Sequence, residues 1–118
     1  MKKIDLTAAK QMVDHYHHSR KKVIDKTHGI NDTQSVWFDI DAFKDFVNNL
    51  PAHATGVRVH LASYDETHPT APGQTTLVFA GTVNKDDAHI DTLSEGAALT
   101  DGLDAVNSGK LCPPICNV

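Results

Sequence analysis

The chain has only two cysteines in 118 residues, too few to replace a hydrophobic core with a disulfide scaffold. Long apolar runs are missing as well. Crossing a bilayer takes roughly 20 apolar residues, whereas the longest uninterrupted stretch is Leu77 to Ala80. Two lysines open the chain as they would a secretory signal, but Asp5, Lys10 and Asp14 interrupt any apolar segment behind them. A cytoplasmic protein without membrane contact is expected.

Catalytic signatures are equally scarce. There is no phosphate-cradling P-loop, no GxGxxG, no GxSxG nucleophile elbow and no HExxH. The cysteines, Cys112 and Cys116, are spaced as CxxxC, which is neither the CxxC of thioredoxin-like sites nor half of a zinc knuckle. The deaminase pattern H-x-E with P-C-x-x-C fails on both order and spacing. No catalytic, cofactor-binding or metal residue is therefore assigned, and the balance leans away from an enzyme.

What is present describes one α+β domain spanning residues 1–118. At 12.8 kDa the chain can bury a single core, and 40% hydrophobic with 22% charged residues is an ordinary globular composition. Ala9, Met12, Val13 and Tyr16 recur at helical spacing, so Thr7 to Lys21 reads as an amphipathic helix capped by Asp5 or Thr7. The polar stretch from Asp25 to Gln34 reads as a loop. SVWF, from Ser35 to Phe38, suits a short strand. Asp39 or Asp41 can then cap a second helix carrying Ile40, Phe43, Val47 and Leu50, which Pro51 stops.

Two longer strands follow. In GVRVHLASY, from Gly56 to Tyr64, the apolar Val57, Val59 and Leu61 alternate with Arg58, His60 and Tyr64, so one face is expected to be buried. TTLVFAGTV, from Thr75 to Val83, is apolar on both sides and belongs inside a sheet, paired antiparallel with the first strand across a long arm. NKDD turns into a weaker strand near Ala88 to Leu93, and Ser94 to Gly109 shows no firm periodicity. The expected architecture is a three or four stranded, mainly antiparallel sheet covered by two helices.

The order of these features, from the first helix to the terminal LCPPIC, resembles a group of small uncharacterised bacterial proteins ending in a cysteine-proline-proline motif. The resemblance covers about Thr7 to Cys116 and implies no activity and no site residue.

The candidate chemistry is concentrated in three places. An extended LCPPIC would hold its Cα atoms about 12 Å apart at the polyproline rise, beyond disulfide reach, and proline opposes a helical turn there. Two packed thiols in a docked tail are therefore preferred, with a local disulfide through a sharp proline turn, then metal binding, as alternatives. Arg58, His60 and Tyr64 offer a weak ligand surface on one strand face. His15, His17 and His18 diverge around their helix and cannot share an ion.

Charge is divided unevenly. Residues 1–30 carry seven Lys and Arg against three Asp, and the remainder carries four against twelve acidic residues. A solvated helix face explains the basic end better than a nucleic-acid site, so nucleic acid is not expected as a partner. A binding or assembly protein that meets a protein partner or its own copy is the leading expectation; a redox- or metal-responsive module built on Cys112 and Cys116 is the alternative.

Overall fold

The computed structural model describes the backbone of residues 1–95 and 103–117. Helix α1 (Leu6–His18) starts where Asp5 accepts the Ala8 N–H at 3.1 Å. It ends one residue later, at Ser19, whose hydroxyl donates back to the His15 carbonyl. Such a back-bonded serine opposes straight continuation. A second helix, α2 (Arg20–His28), runs on into the stretch expected to be a loop and closes on Gly29, at φ 65°. That left-handed conformation suits glycine because it has no Cβ to clash.

The residues after α2 are fastened by carboxylates. Asp25 accepts from Lys21 Nζ at 2.7 Å and from the Asp32 N–H at 2.6 Å. Asp32, fully buried, accepts from both the N–H and the hydroxyl of Thr75, at 2.8 and 2.6 Å. Lys21 is itself buried and also reaches Asn31, so it is not part of an open basic face.

The Lys21 ammonium, and after it the Asp32 N–H, holds the Asp25 carboxyl below its ordinary value of 3.8. A carboxylate lowered on folding adds stability that is fully present above its unfolded value and is lost as pH falls through the folded one. The stability gap between wild type and Asp25→Asn should therefore stay constant from neutral pH down to about 4 and close below it. Urea melts at stepped acid pH would measure it.

Strand β1 (Ser35–Trp37) leads to helix α3 (Ile40–Asn48), which Asp39 caps by accepting the Asp41 and Ala42 N–H groups at 3.0 Å each. The DxD pair is thus a cap and a first-turn acid, as its position implied. Next come β2 (Gly56–Ser63), β3 (Thr75–Lys85) and β4 (Ala88–Ile90), a meander in the order β2-β3-β4. Gly56 to Ser63 pairs antiparallel with Thr82 to Thr75. Between β3 and β4, Asp86 and Asp87 both take positive φ, as a tight two-residue hairpin requires. One turn of helix, α4 (Thr92–Glu95), follows.

Beyond it β5 (Ala105–Val106) pairs with β3, and β6 (Lys110–Cys112) pairs antiparallel with β1. The expected irregular stretch from Ser94 therefore contains a short strand, while residues 96–102 lie outside the described residues. Gly109 admits β6 to its place, because a Cβ there would collide with Val36 and the Phe38 ring. Lys110 Nζ lies over the Trp37 ring, 5.2 Å from its centroid.

The core sits beneath one face of β3. Phe79 meets Phe38 and Phe43 edge-on and Phe46 at a tilt, while Val83, Ile90 and Leu103 cluster with Leu50. The fold is α+β with antiparallel sheets, and α3 supplies the helical packing seen on Phe79. The arm between β2 and β3 is organised rather than loose: Tyr64 stacks on His68, Asp65 receives the Thr67 hydroxyl and N–H, and Ala71 and Gln74 are buried.

Candidate functional site

β2 carries Arg58 and His60 of the sequence's ligand-surface candidates, with Tyr64 just beyond its end, and its apolar row is the more exposed of its two faces. Val57, Val59 and Leu61 are 38%, 48% and 83% exposed. The expectation that this apolar row would be buried on β2 is corrected. Phe43, Phe46 and Leu50 cover the same sheet face at β3, leaving the row on β2 outboard of that cover.

The polar row turns inward instead. Arg58 Nη1 and His60 Nε2 both reach Asp91 Oδ2, at 3.2 and 3.0 Å, and Arg58 Nη2 donates to the His89 carbonyl at 2.9 Å. Asp91 is fully buried and also accepts the Leu93 N–H. Arg58 lies opposite the small Ala80 and His60 opposite Val78 in the register. An acceptor-only carboxylate at Nε2 requires the proton on that nitrogen, so the neutral imidazole keeps Nδ1 as its acceptor.

Asp91 is the residue that sequence reading missed. Its signal was positional: the hairpin register places it beside Thr82, in line with the polar row of β2, and this emerges only after β4 is aligned. Tyr64, the third candidate, goes elsewhere. Its hydroxyl donates to Asn107 Oδ1 at 2.5 Å, and Asn107 Nδ2 in turn serves Thr76 and the Leu77 carbonyl. Arg58 and His60 therefore form one cluster with Asp91, and Tyr64 anchors the segment after β5.

The cluster can orient His60, but among the described residues no hydroxyl or thiol is bonded to that histidine. Its geometry is that of a cross-strand clamp. Beside it, a recess of about 370 Å³ contains the chain His89–Thr55–Thr82, with both links at 2.9 Å. A larger groove of about 990 Å³ lies at the other end of β2, where Tyr16, Val23, Ile24 and Val36 face Leu61 and Leu77.

The third candidate is the tail. Cys112 and Cys116 form a disulfide, with their Cα atoms 4.6 Å apart. This corrects the preference for two free packed thiols. The chain does not extend through its prolines: the Cys112–Pro113 and Pro113–Pro114 bonds are both cis, and the Ile115 N–H donates to the Leu111 carbonyl at 2.8 Å. The tail is docked at its base, through buried Leu111 and Cys112, the β1 pairing and a bond from Gln74 Nε2 to the Pro113 carbonyl at 3.0 Å, whereas Ile115 beyond the prolines is exposed rather than pinned.

Comparison with known proteins finds no matching family model, curated protein or solved structure. The chain's candidate chemistry lies in these three places. The histidines of α1 add nothing to them. His18 Nδ1 bonds the Asp14 carbonyl rather than its carboxylate, which Lys10 takes at 2.7 Å. Among the described residues no group of three metal-ligating side chains converges.

Proposed function

We propose that this chain is a non-enzymatic binding or assembly protein whose partner is a second copy of itself, joined edge to edge through β2. The observation that carries it is the bare, apolar edge of that strand. The Tyr64 N–H donates to the Gln74 carbonyl, which continues the ladder so that the even-numbered residues of β2 bond to β3. Val57, Val59, Leu61 and Ser63 then direct their N–H and C=O groups outward, where no described strand pairs with them.

Edges of this kind are usually blunted by lysine, proline or a bulge. The stretch from Val57 to Ser63 has no lysine or proline, and its one arginine is drawn inward to Asp91. The strand also complements itself. An antiparallel two-fold centred on Val59 sets Val59 against its own copy and Val57 against Leu61 twice, uniting the apolar rows on one face. A centre one residue later sets Val57 against Ser63 and His60 against itself. The first register joins more apolar surface.

Light scattering after size exclusion should give twice the 12.8 kDa chain mass. Leu61→Glu should return a folded monomer with an unchanged circular-dichroism spectrum, because Leu61 is exposed and supports no core. A wild type that stays monomeric at the highest concentration reached would sink the proposal.

A second reading, favoured by the Cys112–Cys116 bond itself, is a redox-responsive module. In the bonded state neither sulfur is a thiolate donor for a metal, so redox is the part of that alternative to pursue.

A further inference from the structure

We infer that a small-molecule thiol opens the disulfide at Cys116, with Cys112 as the leaving sulfur. The inference rests on the redox reading and adds the substrate class and the direction of attack.

The two sulfurs belong to different surroundings. Cys112 is 7% exposed, lies in β6 opposite Ser35, and its carbonyl accepts the Gln34 N–H at 2.7 Å. Cys116 is exposed, beyond the two prolines and outside the β1–β6 ladder. An attacking thiolate must approach along the S–S axis from the far side of the sulfur it strikes, so access decides which sulfur reacts. Approach to Cys112 is obstructed by the packing that buries it, whereas Cys116 faces solvent.

The leaving side is prepared as well. Gln34 Nε2 donates to Cys112 Sγ at 3.3 Å. As the S–S bond breaks, its electron pair moves to that sulfur, and a hydrogen-bond donor already aimed at it stabilises the developing thiolate. The thiolate of the small molecule forms a new S–S bond to Cys116, and Cys112 leaves as a thiolate that takes a proton from water. A second thiol molecule attacks the mixed disulfide, releasing the reduced Cys116 and the oxidised dimer of the small molecule. Two electrons enter the protein, and two thiol molecules supply them.

Pulsed exposure of the oxidised full chain to glutathione tests this. After a brief acid quench, free thiols are blocked with a maleimide and the peptide following Lys110 is fragmented. Glutathione should be found on Cys116 and maleimide on Cys112, with the Cys116 adduct in about tenfold excess or more, as expected when access controls the exchange. An even split, or glutathione mainly on Cys112, overturns the inference while leaving the redox reading in place. A protein that purifies with both thiols reduced, or a disulfide that glutathione never opens, removes the redox reading and the inference together.

Gln34→Glu separates the leaving-group argument from access. Gln34 is exposed and, among the described residues, its side chain bonds only Cys112 Sγ, so the variant should fold. Exchange should slow several-fold with the adduct still on Cys116, because a carboxylate opposes the departing thiolate. An unchanged rate would overturn the role given to Gln34.

Discussion

Phe79→Ala should lower the unfolding free energy by about 3–5 kcal/mol, the range for removing a buried aromatic side chain. Phe79 is 9% exposed and its ring sits among three other aromatic side chains, with its centroid 4.9, 5.5 and 6.4 Å from those of Phe38, Phe43 and Phe46. Two of the contacts are edge-on, at 88° and 90°, the arrangement that sets a positive ring edge against a negative face. Truncation would leave a void between a strand and a helix that are each held by other bonds, so the site cannot collapse to fill it. Urea unfolding should show a lower midpoint at an unchanged slope. A loss below about 1 kcal/mol would mean that α3 does not depend on Phe79 for its docking.

The second large effect concerns the charges on the opposite face. Arg58→Met should cost about 3 kcal/mol, because it leaves the buried Asp91 carboxylate with less compensation. Asp91→Leu should cost less. Of the partners it abandons, Arg58 and His60 are 41% and 33% exposed at the side chain and can turn to water. The double variant should cost less than the sum of the two, since exchanging a buried pair for apolar groups of similar volume is often neutral. A double-mutant cycle by urea unfolding measures the coupling, and strict additivity would refute the clamp.

Local chemistry was legible in the sequence, and long-range placement was not. The Asp5 and Asp39 caps, the SVWF strand, the β2–β3 pairing and the NKDD turn each depend on neighbours within a few residues or on plain alternation. Alternation in GVRVHLASY shows that the two faces differ, but not which is covered. That was decided by α3 settling over β3 and by Asp91, more than thirty residues away, drawing Arg58 and His60 inward. The cysteines failed for a related reason. A polyproline path excludes a disulfide, and nothing in LCPPIC alone favours the sharp turn that permits one. Nothing local revealed that Gln34, Gln74 and β1 would receive the tail.

The pairing of β1 with β6 also bears on how the molecule opens. Gln34 and Cys112 lie 78 positions apart, and closing a flexible loop of that length costs about 4 kcal/mol in chain entropy before any fixed term. Three residue pairs and a buried leucine can scarcely offset that alone. The intervening sheet must therefore form first and shorten the effective loop, which makes the two-stranded unit a dependent part of the fold. It is therefore the less secure of the two sheets, and the Cys112–Cys116 bond, which closes only within the tail, does not tie it to the rest.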